Sequence, residues 1–208
     1  MIPHETIKVA VLDFDGTLID SNSLKYKAFF KLFPDGTTQD IVRAVLDEMF
    51  EASRFEILAE ILARRDHCRP EDCHSEVQSQ ATAFNNIVVV GAKHCREIEG
   101  AAEALVFLSS RVRLYVSSTT PEDALKEIIA FRGWGDYFVD IFGHPRKKSE
   151  TLAMIMAREQ VESSMVMVVG DGESDRISAS EKRCRFIPVH EAFPLFEVAR
   201  MLGDNSTF

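Results

Sequence analysis

The chain has 208 residues, of which 46% are hydrophobic and 27% charged, and its formal net charge at pH 7 is -9. No apolar run approaches the roughly 20 residues that a membrane-spanning helix requires. Because an acidic chain has no long-range attraction to nucleic acid or to an anionic membrane, we expect neither as a partner, and an anionic substrate must be held by local cations.

The N-terminal sequence MIPHETIKVAVLDF lacks the basic region, apolar stretch and cleavage site of a secretory signal, which favours a cytoplasmic location. Four cysteines in an intracellular chain of this size favour reduced thiols over a disulfide framework. Three of them neighbour histidines, in His67-Cys68, Cys73-His74 and His94-Cys95. Because this spacing matches no ordinary zinc pattern, a structural metal is not the favoured interpretation.

The N-terminal half contains one strand followed by a helical stretch. Residues 7–13 (IKVAVLD) are apolar and rich in β-branched side chains, which predicts a buried strand of a parallel sheet. From Ser23 to about residue 90 the period of the apolar residues is helical, as in the run from Ile41 to Phe50. Residues 69–72 (RPED) predict a helix start, and we assign residues 86–90 (NIVVV) to a helix.

After Gly100 the pattern alternates between helices and strands. It predicts, in order, helix 101–109, strand 112–117, a helix with Thr120 as N-cap that ends near Gly133, a strand near 137–142, helix 149–160, strand 165–169, a helix from about 175 and strand 185–189. This alternation predicts a layered α/β core with a parallel sheet. One domain would comprise residues 1–16 and 96–208, and the helical insertion, residues 17–95, would form the other.

Polar side chains follow several of the predicted strands. Asp13 and Asp15 end the first strand, and their i, i+2 spacing places them on one face. Ser117 and Ser118 end the second strand, and the sequence GDGESD at 170–175 follows the strand at 165–169. Because ligands of open parallel sheets bind beyond the carboxyl ends of the strands, these groups are expected to face one site.

A metal ion is expected at this site. Asp13, Asp15, Asp171 and Asp175 could not all remain ionised at close range without a compensating cation. Carboxylate oxygens favour Mg²⁺, which shares its coordination with water and with a substrate phosphate. Lys147 and Lys148, at the start of a predicted helix, are candidate partners of that phosphate.

These motifs resemble those of the haloacid dehalogenase-like (HAD) superfamily, in the same order along the chain. DxDx[TV] reads Asp13-Phe14-Asp15-Gly16-Thr17, the second motif is Ser117, and GDxxxD reads Gly170 to Asp175. The pattern Gly143-x-Pro145-x-x-Lys148-x-Glu150 resembles GxPxxKxE in that superfamily, which favours Lys148 over Lys147 as the motif lysine. The insertion resembles a C1-type helical cap, as in phosphoglycolate phosphatases and β-phosphoglucomutases.

The resemblance implies a Rossmann-like three-layer core with a small α-helical cap. It also implies a Mg²⁺-dependent phosphomonoesterase that acts on a small phosphorylated metabolite. Asp13 would be the nucleophile that becomes an aspartyl-phosphate, and Asp15 the general acid and base. Ser117 and Lys148 would hold the phosphoryl oxygens.

Further residues receive roles from the same resemblance. The implied metal ligands are the Asp13 carboxylate, the Asp15 backbone carbonyl and Asp171, with Asp175 in support. The implied substrate-binding residues are Gly16, Thr17, Ser118 and Arg54, of which Arg54 matches an arginine of similar caps and could equally be a surface residue.

Alternative functions remain open. A phosphomutase would use the same nucleophile, a non-catalytic binding protein would share the fold, and a carbon-attacking dehalogenase would lack an acid at the position of Asp15. The sequence also departs from the superfamily pattern twice. Ser118 stands where many members have Asn, and Lys182-Arg183 replace the small residue and Gly that usually end the following helix.

Overall fold

The structure is a computed structural model that describes residues 6–49, 52–190 and 195–203. The chain forms two compact units. The core unit comprises Met1–Ser21 and Cys95–Phe208, and the helical unit comprises Asn22–His94. The boundaries expected from the sequence, after residues 16 and 95, lie five residues and one residue away from these.

The described elements follow one another in this order. In the first half they are β1 (Val9–Leu12), α1 (Asn22–Leu32), α2 (Gly36–Met49), α3 (Arg54–Asp66), α4 (His74–His94) and α5 (Ala101–Ser109). In the second half they are β2 (Arg113–Pro121), α6 (Glu122–Phe131), β3 (Asp140–His144), α7 (Lys148–Glu159), β4 (Val166–Gly170), α8 (Glu173–Lys182), β5 (Arg185–Pro188) and α9 (Leu195–Gly203).

A five-stranded parallel sheet forms the centre of the core unit, with the spatial order β3-β2-β1-β4-β5. All four residues of β1 are buried. Val9 and Val11 pack in one apolar cluster with Leu152 of α7 and Ala179 of α8. Because successive side chains of a strand point to opposite faces, Ala10 and Leu12 point to the other face of the sheet. The α/β fold class predicted from the sequence is confirmed.

The strand register places the end of β1 between β2 and β4. Leu12 lies between Val116 of β2 and Val169 of β4. The backbone N–H of Asp13 then donates to the carbonyl of Val169 at 2.8 Å, which continues the ladder by one residue. The chain therefore leaves the sheet at Asp13 next to the end of β4, whereas β2 continues past this point to Pro121.

The helical unit is held together by an apolar cluster to which α1, α2, α3 and α4 contribute. Ser53 starts α3 through a capping box, in which its hydroxyl accepts from the N–H of Glu56 and the Glu56 carboxylate accepts from the N–H of Ser53. Residues 86–90 lie within α4, as predicted. The predicted helix start at residues 69–72 is instead a 3₁₀ turn over Pro70–Cys73, and α4 begins directly after it.

The structure differs from the sequence-based expectations in several places. β2 runs through Pro121, so Thr120 belongs to the strand and Pro121 is the N-cap residue of α6. β3 begins at Asp140, after a 3₁₀ turn at Gly135–Tyr137, and α9 was not predicted. The predicted apolar position Phe50 lies outside the described residues. Within the described part of the chain, no helix is both long and apolar enough to cross a bilayer.

Candidate active site

Three carboxylates meet at the edge where β1 and β4 end. Asp13 and Asp175 are buried and Asp171 is exposed, and one oxygen from each lies within 4.8 Å of the others. Asp13 follows β1, Asp171 follows β4, and Asp175 lies in the first turn of α8. Among the described residues this is the only such group of three or more potential metal ligands, so the Cys-His pairs form none.

Lys148 supplies the buried cation of this cluster. Its Nζ lies 3.0 Å from Oδ1 of Asp13 and 2.8 Å from Oδ1 of Asp175. Burial lowers the pKa of the Lys148 ammonium, but the charges of the two carboxylates outweigh burial, so its pKa is raised. Lys147 precedes it as the exposed N-cap residue of α7. The structure thus brings Lys148 to the carboxylates and leaves Lys147 in solvent.

The neighbours of Asp175 affect both the pKa and the position of its carboxyl group. Burial, together with the neighbouring charge of Asp13, raises the pKa of Asp175 to about 7 although Lys148 opposes the shift. A Cβ at Gly170 would lie 2.4 Å from Cγ of Asp175, so the carboxyl occupies space that only glycine leaves open. Oδ2 of Asp175 is buried and has no hydrogen-bond partner among the described residues.

Thr17 and Gly16 shape the loop after β1. The Thr17 side chain is fully buried, and its hydroxyl donates to Oδ1 of Asp171 at 3.2 Å. Gly16 has a φ of 76°, a left-handed conformation that glycine adopts without steric cost. This turn lets the chain reverse directly after Asp15. The resemblance implied that Thr17 binds the substrate. In the structure its hydroxyl contacts Asp171, a candidate metal ligand.

Asp15 is held by three hydroxyl groups. Ser21 donates to its Oδ1 at 2.5 Å, and Thr120 donates to its Oδ2 at 2.6 Å. Ser118 lies 3.4 Å from the same Oδ2, and its hydroxyl also accepts the N–H of Thr120. Because Asp15 itself is buried, these contacts fix its orientation in a place with little access to water. The side chain of Ser118 therefore faces Asp15.

Two further predicted site residues have simpler surroundings. Ser117 is buried in β2 beside the end of β1. Arg54 is the first residue of α3 in the helical unit, where its guanidinium lies 4.8 Å from the ring centre of Phe55. Partial burial lowers the pKa of Arg54. Its role in substrate binding stays a prediction.

Residues 10–189 match the family of haloacid dehalogenase-like hydrolases. This chain belongs to that family. The phosphoglycolate phosphatase of Vibrio parahaemolyticus is 33% identical over 203 residues, which span 87% of this chain and 82% of that protein. The phosphoglycolate phosphatase of Photobacterium profundum is 24% identical over 200 residues, which span 90% and 85%. The family match and these relatives identify the HAD chain as a phosphatase-type enzyme.

The fold is shared with solved HAD structures. A HAD hydrolase of Bacillus subtilis, whose structure was determined with magnesium bound, superposes with a TM-score of 0.73 at 15% identity. The superposition covers 96% of this chain and 100% of that one. The Rossmann-like core expected from the sequence is therefore confirmed.

The donor set of this HAD chain fits a hard divalent cation. Asp13, Asp171 and Asp175 offer only oxygen atoms, which suit Mg²⁺. The unpartnered Oδ2 of Asp175 is buried beside other carboxylates, and one lysine does not neutralise three acids. A cation at this edge would remove that excess of negative charge.

Sequence reasoning missed two residues of the site, Ser21 and Thr120. The pattern at Thr120-Pro121 is typical of a helix N-cap, which hid the role of the threonine. The useful signal was the alternation of side-chain direction along β2. Ser118 and Thr120 are two residues apart, so they share one face of an extended strand. Ser21 carried no comparable signal, since it reaches Asp15 from a loop six residues later.

Proposed function

We propose that this HAD enzyme is a Mg²⁺-dependent phosphomonoesterase that hydrolyses a small phosphorylated metabolite through phosphorylation of Asp13. The observation that carries the proposal is the placement of Lys148, within 3.0 Å of the Asp13 carboxylate at the edge where Asp171 and Asp175 also lie. A carboxylate beside a buried cation can receive a phosphoryl group, because the cation balances the negative charge of both reactants.

Asp13 is the nucleophile in the first step. Its carboxylate oxygen forms a bond to phosphorus, and the bond between phosphorus and the leaving oxygen breaks. Asp15 gives that oxygen its proton, so the product leaves as a neutral alcohol. Ser117, which is buried beside the end of β1, and Lys148 bind the equatorial phosphoryl oxygens.

Asp15 acts as a base in the second step. It takes a proton from a water molecule whose oxygen attacks phosphorus, and the bond to the Asp13 carboxylate breaks with release of inorganic phosphate. The hydroxyls of Ser21, Ser118 and Thr120 suit this exchange. A hydroxyl donates to a carboxylate and accepts from a carboxylic acid, so these contacts hold Asp15 in both protonation states.

Asp13, Asp171 and the Asp15 backbone carbonyl would hold the metal ion, with Asp175 beside them. When bound, Mg²⁺ supplies Lewis-acid stabilisation of the phosphoryl charge. Thr17 orients Asp171 for this task through its hydrogen bond of 3.2 Å. Because Gly170 has no Cβ, there is room for the Asp175 carboxyl beside Lys148.

The hydrogen-bonded Asp15 favours phosphoryl transfer over dehalogenation. Cleavage of a carbon–halogen bond releases a halide, which needs no proton, so an acid at this position would serve no purpose. A phosphate monoester releases an alkoxide-like oxygen, and protonation by a positioned acid typically accelerates such a step by about 100-fold to 10,000-fold.

Release of inorganic phosphate by the purified protein tests the proposal. A panel of phosphorylated metabolites, with 2-phosphoglycolate first because two relatives are phosphoglycolate phosphatases, is incubated with and without Mg²⁺. We expect Mg²⁺-dependent phosphate release that is lost in Asp13→Asn. Absence of phosphate release from every substrate would contradict the proposal, and transfer of the phosphoryl group to a sugar phosphate would identify a mutase.

A further inference from the structure

A pair of cysteines lies at the junction of α3 and α4 in the helical unit. Cys68 follows the helix end at His67, and its N–H donates to the carbonyl of Ala63 at 3.1 Å. Cys73 ends the 3₁₀ turn before α4 and is buried in the apolar cluster of this unit. Cys68 is exposed. One thiol is thus accessible to reagents while its neighbour is covered.

The two sulfur atoms are 3.0 Å apart. A disulfide bond is about 2.05 Å long, so closure requires a movement of about 1 Å. Two thiolates that share a tetrahedral zinc ion at about 2.3 Å each stand about 3.8 Å apart, which is farther than observed here. Within the described residues no third metal-ligating side chain completes a group with these two cysteines. The spacing therefore favours a disulfide over a metal site.

We propose that Cys68 and Cys73 form a reversible modification site, at which exchange with a small disulfide such as glutathione disulfide produces an intramolecular disulfide. In the first step the Cys68 thiolate attacks one sulfur of glutathione disulfide and releases one glutathione thiolate. In the second step Cys73 loses its proton and attacks Cys68, which releases the second glutathione. Two thiols of the protein are oxidised, and one glutathione disulfide is reduced to two glutathiones.

The surroundings assign different roles to the two cysteines. The hydrogen bond with Cys68, burial, and the carboxylates of Asp66 and Asp72 raise the pKa of Cys73 to about 11. Cys73 therefore stays protonated until it attacks, and its sulfur also lies 3.7 Å from the carbonyl of Arg69. The exposed Cys68 is the thiol that meets the external disulfide, and Cys73 is the thiol that resolves it.

The bond would close a six-residue loop, CRPEDC, between the end of α3 and the start of α4. The N–H of Cys68 anchors this residue to Ala63 of α3, and the 3₁₀ turn over Pro70–Cys73 brings the sulfur of Cys73 to within 3.0 Å of the Cys68 sulfur. Little further ordering is needed for closure. The disulfide should consequently form with a larger equilibrium constant in the folded protein than in an unstructured peptide of the same sequence.

Equilibration of the full-length protein in glutathione redox buffers tests this proposal. After alkylation and trypsin digestion, both cysteines lie on one peptide, residues 66–93, because the Arg69-Pro70 bond resists trypsin. We expect this peptide to lose two hydrogen atoms without gaining glutathione. We also expect an equilibrium constant at least tenfold larger than that of the isolated peptide.

Two variants and two internal controls complete the experiment. Cys73→Ser should accumulate a glutathione adduct on Cys68, whereas Cys68→Ser should leave the buried Cys73 unmodified. Cys184, which is buried, and Cys95, whose sulfur faces Arg132, should remain reduced under the same conditions and be recovered in alkylated form. The proposal is overturned if the wild type accumulates the glutathione adduct instead of the internal disulfide, or if folding gives no advantage over the peptide.

Discussion

The hydroxyl of Thr120 donates a hydrogen bond of 2.6 Å to Oδ2 of Asp15, a residue 105 positions earlier in the chain. The contact joins the end of β2 to the loop after β1, and with Ser21 it holds both carboxylate oxygens of the proposed general acid and base. The two carboxylate oxygens of Asp15 are therefore held by separate segments of the core unit, the loop after β1 and the end of β2.

Replacement of Thr120 by Val should lower kcat by about 10-fold to 100-fold, because hydrogen bonds to charged groups contribute about 1.5–3 kcal/mol. The shape of the side chain is kept, and KM should change little, since Thr120 contacts Asp15 rather than the substrate in our account. Thr120→Ser restores the hydroxyl and should recover most of the activity. Steady-state kinetics on the three proteins would test this, and a Val variant with the wild-type kcat would contradict it.

Lys148 and Lys147 offer a matched pair of adjacent lysines. Lys148→Met removes the cation between Asp13 and Asp175, and loss of one partner of a buried ion pair costs about 3 kcal/mol. We expect this loss in urea unfolding of the metal-free protein and a fall in kcat/KM of at least about 100-fold. Lys147→Met, at an exposed position, should change the free energy of unfolding by less than about 0.5 kcal/mol. Equal effects of the two substitutions would refute the assignment of Lys148.

The apparent affinity for Mg²⁺ should depend on pH through Asp175. Its pKa is raised from 3.8 to about 7 in the metal-free protein, so below neutrality a cation must displace a proton. We expect Kd for Mg²⁺, measured by calorimetry, to rise about 10-fold between pH 8 and pH 6. Asp175→Asn should bind more weakly but lose most of this pH dependence. A wild-type Kd that is constant over this range would be inconsistent with the account.

The raised pKa of Asp175 should also make the free energy of unfolding depend on pH. Because the folded protein binds the Asp175 proton more tightly than the unfolded chain, the contribution of this group to stability is present at low pH and is lost as the pH rises from 3.8 through about 7. Saturating Mg²⁺ should weaken this dependence. Thermal unfolding of the wild type and Asp175→Asn, each with and without Mg²⁺, would isolate the contribution.

Arg183 ends α8 with a φ of 57°, a left-handed conformation that glycine adopts more easily than other residues. A side chain in this left-handed conformation costs about 1 kcal/mol, so Arg183→Gly should stabilise the protein by about that amount. Lys182→Gly places glycine at the last residue of the helix, where φ is not left-handed, and should destabilise it by up to about 1 kcal/mol. Urea unfolding of both variants measures the difference. Destabilisation by Arg183→Gly would show that the arginine side chain makes a contact worth more than the strain.

The sequence predicted the sheet and its acidic edge because both depend on local patterns. A continuous apolar strand that ends in Asp13 is recognisable within a few residues, and a parallel sheet brings all carboxyl ends of its strands to one side. The pattern around Lys148 selected one of two adjacent lysines, and in the structure that lysine contacts Asp13. These features required no knowledge of side-chain partners.

The rest could not be predicted because it depends on contacts between distant segments. Thr120 precedes a proline and two acids, which is a strong local signal for a helix start, yet pairing with β3 extends β2 to Pro121. Tertiary pairing therefore overrode the local preference and turned the hydroxyl towards Asp15. The closeness of Cys68 and Cys73 likewise depends on how the turn between α3 and α4 folds.

Chemical trapping at Asp13 tests the central claim most directly. Borohydride added during turnover reduces an aspartyl-phosphate to homoserine, and trypsin releases residues 9–25 as one peptide that contains Asp13, Asp15 and Asp20. Fragmentation of that peptide should locate homoserine at position 13, and only when both substrate and Mg²⁺ are present. Turnover without any modified residue in this peptide, or with homoserine at position 15 or 20, would contradict the account.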